Sequence, residues 1–396
     1  MNIYWDKKKK RWTHLKTDRK LYWGKEEKKI ASIANIESDL SFPVIVKKNK
    51  IGPLVGILAT YHEKKQFTGN IKLFLTLQKQ LASKGGILFI FTLRGVRKSY
   101  ITGYIFNLRT SKWVKSTFPL PDIVYNRLCK REEESSPLFQ ELTSLLKNKE
   151  IPFFNPHFFN KQKVLSHLQK DPVIRRHIPH TIPFSNRQHL QYLYYKFSKV
   201  YIKPVEGSKG KGIFTLTFSK TCITLQTQNS SHKFFSVTSC WQAVEKLLKN
   251  KKYIAQEAIK LNTHYNNKYD LRIHAHRSKT LWKITGIGVR VANTNKITTH
   301  VPQGGKIATI AELDTELQYD QVNTITNRVG HMLEEQFGLL GEFSMDVGIS
   351  NTGHYYIFEV NSKPMLFDEP EIELDRTRKL VSTCYELSSF NQETHG

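Results

Sequence analysis

The chain has 396 residues, 39% of them hydrophobic, with 23 Phe and 17 Tyr; it is too long for one small domain and too apolar for a globally disordered chain. Lysine and arginine number 61 against 34 aspartate and glutamate, a net charge of +27, which attracts polyanions such as nucleic acid, anionic lipid, acidic polypeptide or nucleotide without naming one. No stretch reaches the roughly 18 apolar residues of a membrane span, and the scattered cysteines Cys129, Cys222, Cys240 and Cys384 form no CxxC pair, which fits reduced cytosolic thiols rather than a disulfide framework or a zinc site.

Met1 to Arg11 carries charge but no apolar run behind it, so it is not a secretory signal. Residues 1–50 are basic, with short patches such as Ile3-Tyr4-Trp5 and Phe42 to Val46 that predict a few strands. Leu54 to Leu58 predicts a buried strand, Ile71 to Leu81 a helix stopped by Gly85-Gly86, and Ile87 to Phe91 a second strand. Asp122 to Tyr125 is a third, followed by a helix through Leu146 with Ser136 as N-cap and Pro137 in its first turn. Alternating strands and helices predict a parallel α/β unit ending near Asn155.

Helices follow at Asn160 to Gln169 and about Arg187 to Phe197. Strands are then predicted at Val200–Lys203, Gly212–Phe218, Ile254–Gln256, Leu271–His276, Leu281–Val291, Glu342–Val347 and Tyr355–Val360, with helices near Trp241–Lys249 and Gln321–Phe337. This half reads as α+β with antiparallel sheets.

Two stretches carry chemistry. Lys203-Pro204-Val205-Glu206-Gly207-Ser208-Lys209-Gly210-Lys211-Gly212 places glycines, which let backbone N–H groups approach a phosphate, beside lysines. A Walker loop or a dinucleotide fingerprint needs a helix after its glycines. Here a strand follows, so the loop is the tip of a hairpin: a flap over a nucleotide, or equally an ordinary flexible turn. The second stretch is a hairpin, Glu342 to Val347 and Tyr355 to Asn361, around Ser350-Asn351-Thr352-Gly353. Glu359 and Asn361 share a face, and a turn centred near Thr352-Gly353 sets Asp346 opposite Glu359. Carboxylates facing at about 4 Å repel by on the order of 4 kcal/mol at an effective dielectric near 20. A magnesium ion relieves that, and carboxylate and amide oxygens are its ligands; the alternative is an ion pair with a lysine such as Lys363. Asp270 and Arg272 share a face of one strand and Arg290 lies on another, where an arginine either steadies a phosphoryl group or is a plain strand charge. Gln256-Glu257 ends a strand, either as an adenine-edge contact or as a surface turn. His274 and His276 lack further ligands at metal spacing and read as packed histidines.

In order and spacing, Lys203, the loop through Gly212, Gln256-Glu257, Asp270-Leu271-Arg272, Gly304-Gly305, Asp346 and Glu359-Val360-Asn361 together resemble the ATP-grasp superfamily. Within it the chain is similar to the YheC/YheD family, endospore coat-associated proteins of bacilli. Gly52-Pro53-Leu54-Val55-Gly56-Ile57-Leu58, Pro119 to Arg127, Phe153-Phe154-Asn155 with Asn160-Lys161, and Val360 to Pro364 carry that closer match. The resemblance implies a basic segment 1–50, a pre-ATP-grasp domain 51–155, an ATP-grasp domain 156–370 with a flap lobe about 185–258 and a metal-binding lobe about 259–370, and a C-terminal tail or helix 371–396. It implies ATP held between two antiparallel sheets, with Lys161 and Lys203 on phosphates or adenine and Gly207, Ser208, Lys209, Gly210, Lys211 and Gly212 over the β- and γ-phosphates. Gln256, Glu257 and Ala258 would meet adenine, Asp270 would lie near the ribose, and Asp346, Glu359 and Asn361 would hold one or two magnesium ions. It further implies activation of a carboxylate as an acylphosphate for attack by an amine, steadied by Arg272 or Arg290, in a cytoplasmic protein associated with the spore coat and its proteins. The carboxylate and amine are unidentified, and the basic charge points to acidic ones.

One departure stands out. Thr298-Thr299-His300-Val301-Pro302-Gln303 precedes Gly304-Gly305, where related ligases carry Asn and Arg. Two rival readings follow: a spore coat structural protein that binds ATP without turnover, and a polyanion binder, of nucleic acid among others, with a regulatory ATP site.

Overall fold

The computed structural model describes all residues apart from 36, 37, 39, 208, 209, 249, 250, 294–296, 298, 300–303, 389 and 391–396. The first fifty residues form short strands in two small four-stranded sheets. Trp5, Trp12 and Trp23 are buried together with Phe42 and Phe118, so these strands share a core with the unit that follows.

That unit is a six-stranded sheet. Leu54–Leu58 lies parallel to Ile87–Val96 and to Ile123–Asn126, which in turn pairs in parallel with Phe153–Phe154. The antiparallel hairpin Tyr100–Asn107 and Lys112–Pro119 extends one edge, an addition to the parallel sheet expected. Helix Pro137–Asn148 starts as predicted, with the Ser136 hydroxyl accepting from the Phe139 N–H and proline in the first turn.

Residues 181–257 form a second sheet, antiparallel throughout, in the order Thr181–Phe184, Tyr253–Glu257, Lys199–Pro204, Phe214–Phe218, Ile223–Gln226 and Ser231–Phe234. The first of these strands, Thr181–Phe184, and the last two are not among those predicted from the sequence. Helices Arg187–Lys196 and Val237–Leu248 cover one of its faces with Leu190, Leu193, Cys240 and Val244.

The third sheet runs Lys306–Ala308, Leu281–Val291, Asn267–Ser278, Glu342–Ile349 and Tyr355–Asn361, all antiparallel. Strict alternation gives it two unlike faces. Leu271, Ile273, Val289, Phe343, Met345 and Val347 form an apolar face under helix Tyr319–Phe337, which contributes Val322, Ile325, Val329 and Leu333. Gly330 of that helix has no room for a side chain, because a Cβ there would lie 2.1 Å from Cγ of Trp282. Gly330→Ala therefore forces a packed indole to move and is expected to cost about 1–3 kcal/mol, read from the urea unfolding midpoint.

The other face is charged. Helix Pro370–Leu387 covers one end of it and packs also on helix Ile71–Ser83 of the first unit. The other end is open.

Candidate functional site

Strand register alone sets the rows of the charged face. Gly288, Arg272, Asp346 and Glu359 are successive cross-strand partners. Arg290 and Asp270 form the adjoining row on the open side, and Gly286, His274, Ser344 and Asn361 the row toward helix Pro370–Leu387. The predicted opposition of Asp346 and Glu359 is thus present, next to a bulge in the Asp346–Val347 register.

Between this face and the second sheet lies a cleft of about 770 Å³, counted with its open mouth, lined by Tyr201, Lys203 and Gln256 from above and Asp270, Asp346 and Glu359 from below. Ile213, Ile259, Leu261 and Phe358 give it an apolar wall. Asp346, Asp270 and Glu359 each face a cation. Arg290 bridges two of them, with Nε 2.8 Å from Asp270 Oδ1 and Nη2 2.9 Å from Asp346 Oδ2. The Thr299 hydroxyl donates to the other Asp270 oxygen. Those carboxylates raise the pKa of Arg290 against the effect of its burial, so it is a fixed cation.

Lys161, the first residue of helix Lys161–Leu168, reaches Glu359 Oε1 at 3.1 Å and donates to the Gly207 carbonyl at 2.7 Å. It ties the tip of the glycine loop to the carboxylate hairpin. Lys203 donates to Gln256 Oε1 at 2.6 Å and lies over the Phe358 ring. Burial lowers its pKa to about 8, with Glu359 opposing that shift. Gly210 and Gly212 have φ of +69° and +76°, so this loop can be built only with residues that tolerate the left-handed region; Lys211 between them is exposed, and Ser208 and Lys209 lie outside the described residues, as do Thr298 and 300–303.

Other predicted residues have partners within the protein. The N–H of Glu257 donates to the His180 carbonyl and that of Ala258 to the Lys199 carbonyl, and Glu257 lines the cleft. Lys363, the proposed alternative partner of the carboxylate pair, instead pairs with Glu134. Arg272 shares the row of Asp346, but its Nη1 and Nη2 donate to the carbonyls of Leu366 and Met365.

Sequence reasoning missed the buried group at the covered end. Glu342, fully buried, takes Arg376 Nη2 and Nε at 2.7 Å each and lies 2.9 Å from His274 Nε2. The Tyr125 hydroxyl also donates to it, and Arg127 stands 3.4 Å away. A charged residue opening a strand whose positions are all buried is the feature that marks it.

Among the described residues no three His, Cys, Asp or Glu side chains gather as a metal cage. Asp346 and Glu359, with the Asn361 amide on the same strand as Glu359, still suit magnesium, which commonly binds through one or two carboxylates and completes its shell with phosphate oxygens and water. A depression beside Asp171, Arg328 and His331 lies away from these charges, on the helix covering the apolar face. No helix among the described residues is long and apolar enough to cross a membrane.

Comparison with known proteins agrees with this architecture. The profile of the YheC/D-like ATP-grasp family matches residues 150–390. Endospore coat-associated protein YheD of Bacillus subtilis (strain 168) is 30% identical over 364 residues, 87% of this chain and 80% of that protein. YheC of the same organism is 24% identical over 273 residues, 66% of this chain and 75% of that protein. D-alanyl-alanine synthetase A from Vibrio cholerae superposes with a TM-score of 0.52 at 12% identity, covering 86% of this chain and 99% of its own. VanG D-Ala:D-Ser ligase from Enterococcus faecalis gives 0.52 at 10% identity, covering 85% and 99%. At such identities these two show a shared fold, and the matched profile with the YheD likeness shows the family: the chain belongs to the YheC/D-like ATP-grasp family.

Proposed function

We propose that the protein is an ATP- and magnesium-dependent ligase that joins a carboxylate to an amine through an acylphosphate, in association with spore formation or the spore coat. The observation that carries this is the opposition of Asp346 and Glu359 across adjoining strands at the floor of a cleft, with Arg290 paired to Asp346 on that floor, Lys161 paired to Glu359, and Lys203 on the facing sheet. A scaffold has no need of facing carboxylates that must each recruit a cation. The fold shared with a D-alanyl-alanine synthetase and a D-Ala:D-Ser ligase supports the reaction class by analogy, and the coat-associated relatives support the setting.

In the proposed reaction a substrate carboxylate oxygen attacks the γ-phosphorus of ATP, and the bond to the β-phosphate oxygen breaks to release ADP. An amine nitrogen then attacks the acyl carbon, the C–O bond breaks, phosphate leaves, and the amine proton passes to solvent. Lys203 and Lys161 move from Gln256 and Glu359 to donate to phosphate oxygens, while the loop at Gly207 to Gly212 covers them. Asp346, Glu359 and Asn361 would hold magnesium, which supplies charge neutralisation at the phosphates. The acceptors are unidentified, and the +27 charge favours acidic ones.

The buried Lys203 makes affinity depend on pH. Its charged form meets phosphate, so ADP affinity falls as pH rises through about 8. Calorimetric titration from about pH 7 to about pH 9 checks this, and Lys203→Met is expected to remove both most of the affinity and its pH dependence.

The ligase reading is tested by incubating the protein with ATP, magnesium and a pool of amino acids and short peptides. ADP release that rises with the pool supports it. ATP bound without release sinks it and leaves a coat protein that binds ATP without turnover, the reading favoured by His300 and Gln303 ahead of the double glycine.

A further inference from the structure

Residues 362–367, directly after Asn361, form neither helix nor strand, yet their main chain is tightly held. The Ser362 carbonyl accepts from the Asn155 amide. The Pro364 carbonyl accepts from Arg127 Nη2 at 2.9 Å and Arg376 Nη2 at 3.1 Å. Met365 accepts from Arg272 Nη2 at 2.9 Å and Leu366 from Arg272 Nη1 at 3.0 Å. The Arg272 guanidinium also lies 4.3 Å from the Phe367 ring centroid. Irregular chain has no ladder to satisfy its carbonyls, and three guanidinium forks replace one here. Glu342 supplies the buried negative charge beside two of them, Arg127 and Arg376.

Arg272 stands in the row of Asp346, where an arginine would be expected to serve a phosphoryl group, but both its terminal nitrogens are engaged by adjacent carbonyls. We infer that Arg272 is a positioning residue rather than a phosphate ligand: with Arg127 and Arg376 it fixes the main chain of 364–366, a segment tied through Arg272 to the row of Asp346 and assigned here to the acceptor side. Neutralisation at the phosphates then falls to Lys161 and Lys203. Met365 of this segment is exposed. The segment's assignment to the acceptor side rests on the ligase reading, whereas the clamp does not.

Arg272→Lys separates the two roles. Lysine keeps the charge that a phosphate would feel but loses the fork that spans two carbonyls. In the full chain, hydrogen exchange at Met365 to Phe367 is expected to quicken by about tenfold or more, with affinities for Mg·ADP and Mg·AMPPNP held within about twofold. Where the pool supports ADP release, KM for the acceptor rises while KM for ATP does not, a split that general loss of structure would not give. Unchanged exchange at these amides, or AMPPNP affinity falling about tenfold while that for ADP holds, overturns the inference. Arg127→Lys grips the same segment from the first unit, and faster exchange at Met365 with nucleotide affinity kept is the same result should Arg272→Lys fold poorly. Neither readout needs turnover, so the clamp can fail while the ligase reading stands, and the reverse.

Discussion

Glu342→Gln is expected to lower the unfolding free energy by about 3–5 kcal/mol, the cost of breaking a buried ion pair by removing one partner. Burial alone would raise the pKa of Glu342, but Arg376 beside it, helped by His274, holds it well below the ordinary carboxylate range. Neutralising it takes from the fully buried Arg376 guanidinium the carboxylate that binds two of its nitrogens and leaves Glu373, on one nitrogen, as its remaining counter-charge. Burial keeps the pKa of His274 low, so that ring does not take over the role. Because the folded-state pKa is depressed, the stabilisation is present above the unfolded carboxylate value near 4.3 and is lost as pH falls through the folded one. Urea unfolding at neutral pH measures the loss. The double variant Glu342→Gln with Arg376→Met removes both charges and is expected to recover much of it, since exchanging a whole buried pair is often tolerated where breaking one is not. A loss below about 1 kcal/mol in the single variant would mean that the cluster is not what joins the first unit, the third sheet and the last helix.

Glu359→Ala is expected to lower acceptor-dependent ADP release by roughly 100-fold or more, the magnitude seen when one group that stabilises developing charge is removed. It deletes one of two facing carboxylates and frees Lys161 from its ion pair. Nucleotide should still bind through Lys203 and the apolar wall, but its dependence on magnesium should weaken. ADP release at the parent rate in this variant would remove Glu359 from the proposed chemistry.

Most of the element pattern was legible because it rests on alternation and punctuation. Leu54 to Leu58 and Ile87 to Phe91 are apolar runs bounded by turn residues, and Ser136-Pro137 announces a helix start. The facing of Asp346 and Glu359 followed from period-two geometry once the turn was placed at Thr352-Gly353. What lay beyond reach depends on contacts far apart in sequence. Arg376 meets Glu342 only because the last helix folds back over the third sheet, and nothing local marks it. Arg272 and Arg290 look alike as strand charges, yet Arg290 spans two carboxylates and Arg272 two backbone carbonyls. The hairpin Tyr100–Asn107 and Lys112–Pro119 was legible in its alternation and overlooked. The strands Ile223–Gln226 and Ser231–Phe234 are only four residues each, and Ser231–Phe234, the outermost strand of its sheet, is polar and largely exposed.

At the centre of the proposed function is a nucleotide site whose floor is a magnesium-binding carboxylate pair. Calorimetric titration of the full chain with ADP, in magnesium and again in EDTA, tests it most directly. Saturable binding is expected in both, tighter by about tenfold or more with magnesium. Equal affinity in the two conditions, or no binding in either, would contradict it.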